Sequence, residues 1–322
     1  MSGRRRRLWS TGAIGVAASL ALATFSSPPA EALASHPAHS RPAAEVSTAS
    51  APAAKTSLAA LDAIILRPLT VLRGPGEAGA IIAHRGNSSA APENTMPAFV
   101  SSIESGAEYC EIDIRLSKDG VPVVIHDRTV DRTTNGAGAV SEMTISELRA
   151  LDAGSWLSET FAGTPIPTLD EVLALAASSG TRVLIEYKGT WSKAGVKTTV
   201  DMIEAVGLTS TVVAQSFSQK TVARIADAAP ELTVGWLTED LDASTVATAT
   251  AIEADAVNPR TATARGVARA HRAGLGVFVW TQDAETDWRA LTAMGVDGII
   301  TNRPDALLEW VLDREKSAAG LF

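Results

Sequence analysis

Cys110-Glu111-Ile112-Asp113-Ile114-Arg115, then Lys118-Asp119-Gly120, then Val121-Pro122-Val123-Val124-Ile125, is the stretch whose reading decides the fold. The first run reads as a strand, with Glu111 and Asp113 two apart on one face and Cys110 on the other. Cys110 is expected to sit against helices as an inert small hydrophobe. Lys118-Asp119-Gly120 is a turn signal, so the strand is expected to fold back as a hairpin with the second apolar run. A polar, glycine-containing segment, Arg128–Gly138, comes next. Loops this long inside a compact domain are usually functional.

On either side, short β-branched runs recur. They are Ala80–His84, Arg182–Lys188, Thr211–Gln215, Leu232–Trp236, Ala254–Asn258, Gly276–Trp280 and Asp297–Thr301. Helical patterns such as Met96–Ser105, Leu169–Ala177, Lys193–Val206, Ser218–Ala228 and Ala262–Ala273 lie between them. Strand-helix alternation argues for parallel pairing. Eight units in roughly 235 residues match the size of a (β/α)8 TIM barrel, here with a small hairpin-and-loop insertion after strand two. A doubly wound open sheet is the architectural alternative at this point.

The N-terminus has a different character. Arg4–Arg7 precede a short apolar run, Gly12–Thr24, and Ala32-Leu33-Ala34 is a small-x-small cleavage pattern. Residues 1–34 therefore read as a signal peptide, by the Sec or the twin-arginine route, rather than an uncleaved anchor. The apolar run is shorter than the ~20 residues of a spanning helix. Residues 35–76 read as an Ala/Pro/Ser/Thr-rich linker that cannot bury enough apolar surface to fold alone, and 77–318 as the barrel. A secreted or cell-wall-associated protein with no stable membrane insertion after cleavage is expected. After residue 34 the chain carries 24 basic and 35 acidic side chains, a formal −11, which argues against nucleic acid as a partner. Cys110 is the only cysteine, which excludes an intramolecular disulfide and a thiolate metal cluster. Nothing in the sequence sets the oligomeric state.

Polar residues that end barrel strands face the active-site mouth. Strand one ends in His84-Arg85-Gly86, strand three carries Glu186 and Lys188 on one face, and the hairpin ends in His126-Asp127. Glu111, Asp113 and Glu186 would repel one another unless a cation joins them, and oxygen ligands of this kind suit Ca²⁺ or Mg²⁺. The competing reading pairs them with Arg85, Arg115 and Lys188 as a structural network. Of the five histidines, two lie in the linker and His271 sits on a surface-like helix. His84 and His126 are left as an acid-base pair. With a divalent ion, Arg85 and Lys188 would leave the cluster one positive charge in excess, and a phosphodiester would neutralise it. For Glu93 and Asn94, capping of the first helix is at least as strong a reading as contact with substrate. Trp280 reads equally as pocket wall or core, and the strand-ending Gln215 and Trp236 share that ambiguity. Asp127 reads as a residue that orients the hairpin or His126.

At these residues the sequence resembles the glycerophosphodiester phosphodiesterase family, from about Ile81 to Pro304. The resemblance rests on Ala83-His84-Arg85-Gly86, Pro92-Glu93-Asn94-Thr95, Glu111-Ile112-Asp113, Pro122–Asp127, Asp131–Gly136, Ile166–Glu171, Glu186-Tyr187-Lys188, Val279-Trp280-Thr281 and Gly295–Thr301, in that order. It implies Glu111, Asp113 and Glu186 as ligands of one divalent cation and His84 and His126 as catalytic residues. It also implies Arg85 and Lys188 as phosphate contacts, with Glu93 near the substrate. Two positions depart from the family pattern. Asp283 stands where Asn is usual, and Asn302 where Asp is usual.

The implied reaction is hydrolysis of a small glycerophosphodiester to glycerol 3-phosphate and an alcohol. A glycerol hydroxyl would attack to give a cyclic phosphate that water then opens. The alternatives are a phospholipase D-like enzyme acting on lysophospholipid or sphingomyelin, and a non-catalytic barrel that binds phosphodiesters.

Overall fold

The computed structural model describes residues 72–318. The expected signal peptide and most of the expected linker lie outside these residues. No described helix is long and apolar enough to cross a membrane.

Eight parallel strands close on themselves: β1 (Ala80–Ala83), β2 (Tyr109–Leu116), β4 (Arg182–Tyr187), β5 (Val212–Ser216), β6 (Thr233–Thr238), β7 (Ala256–Pro259), β8 (Gly276–Val279) and β9 (Gly298–Thr301). Closure comes from β1, which pairs with β9 on one edge and with β2 on the other. This is a (β/α)8 barrel, so the open-sheet alternative falls. The strands begin and end within two residues of the apolar runs that predict them.

The outer layer is α1 (Met96–Glu104), α3 (Leu169–Ser179), α4 (Lys193–Ala205), α5 (Gln219–Ala228), α6 (Ala243–Ala251), α7 (Ala264–Arg272), α8 (Glu285–Met294) and α9 (Pro304–Ala318). Their starts are written in the sequence. Ser192, Ser218, Asp242 and Thr263 each accept a hydrogen bond from the amide three residues on. The side chains thereby satisfy donors that a helix N-terminus leaves unpaired.

The hairpin is present. β3 (Pro122–Val124) runs antiparallel to β2, Ile114 opposite Val124, on the edge that β1 leaves free beyond Cys110. The insertion that follows contains α2 (Ile145–Arg149) and buries its own cluster, including Val123, Ile125, Val130, Val140, Leu148 and Ile166. A private core makes it a rigid wall over the barrel mouth rather than a loose loop.

Inside the barrel, residues alternate by parity into layers. Ala80, Ile82, Tyr109, Leu184, Val213, Ala256, Phe278 and Ile300 form an apolar plug. One step further along the same strand faces stand His84, Glu111, Asp113, Glu186, Gln215, Asn258 and Trp280. The plug holds the floor, and the layer above it carries the chemistry. Gly235 makes room in that upper layer, because a Cβ there would lie 2.6 Å from Asn258 Nδ2. At the floor, His271 is not the surface residue its sequence position suggests. Its Nε2 bonds the fully buried Asp297 carboxylate at 2.8 Å, which also accepts from the amides of Arg73 and Val277.

Candidate active site

The site starts from a backbone kink. Arg85 (φ 57°) and Gly86 (φ 80°) turn left-handed immediately after β1, and Asn94 (φ 57°) does the same nearby. A Cβ on Gly86 would lie 2.6 Å from the Ala98 backbone, so only glycine fits. The kink is held by Asn94 N–H donating to Arg85 O at 3.0 Å and by Arg85 N–H donating to Glu111 Oε2 at 2.8 Å.

Strand register brings the three acids together. Asp113 pairs with Glu186 across β2 and β4, and Glu186 with Gln215 across β4 and β5. Glu111, Asp113 and Glu186, all buried, each offer a carboxylate oxygen within 4.8 Å of the others. Part of their charge is met by protein. Lys188 Nζ lies 2.7 Å from Glu186 and 3.4 Å from Asp113, and Arg85 Nε lies 3.2 Å from Asp113. Arg115 does not join them. Its Nε and Nη2 both donate to the His126 carbonyl, at 2.9 and 2.7 Å. Among the described residues, direct ion pairs reach Asp113 and Glu186 but not Glu111.

The remaining imbalance shows in the acids. Burial, then the charges of Asp113 and Glu186, push Glu111 well above the ordinary carboxylate range. Burial and then Asp113 raise Glu186 to about 7 against the pull of Lys188. Burial would raise Asp113 too, but Lys188 and Arg85 outweigh it and hold that carboxyl well below its usual value. Asp113 Oδ1 is buried without a hydrogen-bond partner. An unsatisfied oxygen within a compact all-oxygen donor set fits a hard divalent ion.

Both histidines line the cavity that Glu111, Glu186, Arg85 and Lys188 also line, a space of about 100 Å³. Each has Nδ1 fixed from behind. His126 Nδ1 lies 2.6 Å from Asp127 Oδ1. His84 Nδ1 lies 2.7 Å from Asn302 Oδ1. The Asn302 amide is oriented by Asp283, an acceptor that takes its Nδ2 at 2.7 Å, so the Asn302 oxygen must face His84. In both imidazoles Nδ1 then carries the proton and Nε2 is free for the cavity. Burial and then the Arg85 charge lower His84 to about 4, against Asp113 and Asn302. Burial also lowers His126, with Asp113 opposing and Arg85 and Lys188 adding to it.

Several expectations change. Glu93 and Asn94 do not cap α1, whose N-cap is Thr95. Glu93 receives Arg85 at 2.8 Å, and Asn94 Nδ2 donates to Asp113 Oδ2 at 2.8 Å while its Oδ1 accepts from the Asp113 amide. Trp280 and Gln215 line the cavity. Trp236, of the opposite parity, does not; its Nε1 donates to the Phe217 carbonyl. Asp127 orients His126. Cys110 is buried on the far face of β2 against Ser102 of α1, and burial pushes its thiol far up. Two contributors escape a reading by strand ends. Phe217 stacks edge-on against Trp280 at 5.5 Å and walls the cavity. Arg132, inside the expected loop, binds Glu93 and Asp127 together.

The same residues place the chain among known proteins. A sequence model of the Glycerophosphoryl diester phosphodiesterase family matches residues 84–306. A glycerophosphodiester phosphodiesterase of Caldanaerobacter subterraneus is 38% identical over 235 residues, covering 72% of this chain and 97% of that protein. The crystal structure of a glycerophosphodiester phosphodiesterase from Agrobacterium tumefaciens superimposes with a TM-score of 0.63 at 31% identity, over 72% of this chain and 99% of the other. An Oleispira antarctica phosphodiesterase, solved in complex with the product sn-glycerol-3-phosphate, matches with a TM-score of 0.65 at 25% identity, over 73% and 97%. With its family block beginning at the very histidine that opens the barrel mouth, the chain belongs to the glycerophosphoryl diester phosphodiesterase family, whose members are phosphoric diester hydrolases.

Proposed function

We propose that the protein is an exported, divalent-cation-dependent enzyme that hydrolyses glycerophosphodiesters to glycerol 3-phosphate and an alcohol, through a cyclic phosphate. The observation that carries this is the pair of imidazoles in one cavity, each with Nδ1 fixed from behind and Nε2 left for the substrate. The arginine-led apolar segment and the Ala32-Leu33-Ala34 site support export.

The two partners differ in charge, and that difference assigns roles. His84 rests on a neutral amide beside Arg85, which favours the unprotonated ring, so His84 takes the proton from the glycerol hydroxyl. His126 is also lowered by burial, but its Nδ1 rests on the Asp127 carboxylate, which favours its imidazolium more than the Asn302 amide favours that of His84, so of the two His126 is the one that protonates the departing alcohol. Opening of the cyclic phosphate by water reverses the roles. Arg85 and Lys188 face the phosphate, and the Phe217–Trp280 wall packs on the glycerol carbons. Glu111, Asp113 and Glu186 would hold Ca²⁺ or Mg²⁺, which supplies positive charge to the phosphate and lowers the pKa of a nearby hydroxyl.

The test is glycerol 3-phosphate release from glycerophosphocholine by the mature protein, with chelator and with Ca²⁺ or Mg²⁺ restored. Release that depends on the cation is expected. Release indifferent to thorough chelation would remove the cation from the scheme. Normal turnover of a diester lacking the free 2-hydroxyl would remove the cyclic phosphate.

A further inference from the structure

A second hollow opens beside the catalytic cavity and shares Lys188 with it. It is a groove of about 360 Å³ between the end of β2, the insertion and the loop that leads into α4. Arg115, Arg128 and Lys188 line it together with the hydroxyl-bearing Ser141, Thr190 and Ser192, and no acidic residue does. That is unusual on a domain whose acids outnumber its bases.

The charges in the groove are not spent alike. Lys188 is engaged by Glu186 and Asp113. Arg115 donates Nε and Nη2 to the His126 carbonyl and forms no ion pair among the described residues, which leaves Nη1. Arg128 is exposed, and among the described residues no acceptor bonds its guanidinium. A groove whose charged lining is all basic favours an anion, and guanidinium groups bind phosphate through paired, charge-assisted hydrogen bonds.

Position ties the groove to the reaction. Arg115 holds the backbone of His126, so the groove begins on the side of the cavity where the leaving oxygen would be protonated. Phe217 and Trp280 line the catalytic cavity and not the groove. An alcohol leaving past His126 and over Lys188 enters the basic groove.

We infer that this groove is a subsite for a second phosphate carried by the departing alcohol, so that the preferred substrates are glycerophosphodiesters with an anionic group one short polyol beyond the scissile phosphate. The inference rests on the reaction proposed above. The second phosphate has two sources, a terminal monoester on a small alcohol or the next unit of a glycerophosphate chain.

The experiment compares kcat/KM for glycerophosphoglycerol, for the same diester bearing a terminal phosphate, and for a short glycerophosphate oligomer with a capped end. Each is measured for the wild type and for Arg128→Ala, Arg128→Lys and Arg128→Glu. The wild type should prefer the phosphorylated diester by about tenfold or more, as one charge-assisted contact implies. That ratio should fall about tenfold in Arg128→Ala, be largely kept in Arg128→Lys, and invert in Arg128→Glu. Added salt should shrink it in the wild type. An oligomer that shares the preference identifies the chain, and one that lacks it identifies the small monoester. Equal kcat/KM for charged and uncharged tails, or a ratio unmoved by Arg128→Glu, overturns the subsite while leaving the phosphodiesterase reading intact. Hydrolysis of none of the three overturns both.

Discussion

Asp283 and Asn302 face each other as carboxylate to amide, with Asn302 Nδ2 donating to Asp283 Oδ2 at 2.7 Å. The other Asp283 oxygen accepts from the Asn302 amide and from Thr301 Oγ1, both at 2.8 Å. By the sequence resemblance these two positions carry each other's usual residue types, and in space they are one bonded pair. An exchanged pair keeps every bond: asparagine at 283 still accepts from Thr301 and donates to an aspartate at 302. A single exchange does not, since Asn302→Asp sets two carboxylates against each other.

Asn302→Asp alone should therefore lower kcat by about 10- to 100-fold, the usual cost of losing a partner that orients a ligand or catalytic imidazole, with KM little changed. The double variant Asp283→Asn/Asn302→Asp should recover most of it. A carboxylate beside His84 favours the imidazolium, so the acidic limb of the pH-rate profile should move to higher pH in the double variant. If the double variant is no better than the single one, the pair does not act through His84.

The assignment of the histidines gives a second expectation. Replacing either by alanine should cost at least ~10²-fold on glycerophosphocholine. A p-nitrophenyl ester of glycerol phosphate needs no protonation of its leaving group, so His126→Ala should regain most of its rate there while His84→Ala stays slow. Rescue of His84→Ala instead would reverse the two roles.

The sequence carries the barrel because its signals are local: apolar strand runs, helix N-caps and the Lys118-Asp119-Gly120 turn are each read over a few residues. His84, His126, Glu111, Asp113 and Glu186 are legible because strand parity and strand ends fix which way a side chain points. What escapes is set by backbone turns and by distance along the chain. Asn94 reaches Asp113 through a left-handed residue that propensity does not forecast, and it looks like a helix cap until the turn is seen. Arg132 lies 39 residues from Glu93 and meets it because the insertion folds on a core of its own. His271 carries a surface pattern, and its tie to Asp297 depends on how α7 packs beneath the barrel.

The acids predict how the fold responds to cation and pH. Glu186 has its pKa raised from 4.5 to about 7, so between those values the folded chain binds more protons than the unfolded one. Its contribution to stability is full below pH 4.5 and is lost as pH rises through about 7. At pH 8, without divalent cation, Glu186→Gln should raise the thermal midpoint while abolishing activity. Ca²⁺ or Mg²⁺ should raise the wild-type midpoint at pH 8 and do so less at pH 5.5, where binding must displace a proton. A cation-induced rise that persists in Glu186→Gln would take this residue out of the ligand set.

Arg132 closes a chain of ion pairs around the mouth: it binds Glu93, which binds Arg85, and it binds Asp127, which binds His126. Its side chain is 45% exposed, so little stability follows from these bonds, and their effect is on orientation. Arg132→Ala should leave the thermal midpoint nearly unchanged and lower kcat/KM by about tenfold or more, because Glu93 and Asp127, which hold Arg85 and His126, lose the residue that fixes them. Arg132→Lys should not restore the rate, since a single ammonium cannot reproduce the paired bonds to Glu93 and Asp127 together. Activity restored by lysine would show that charge alone is needed at this position, and that the two halves of the mouth are aligned by the insertion's own core.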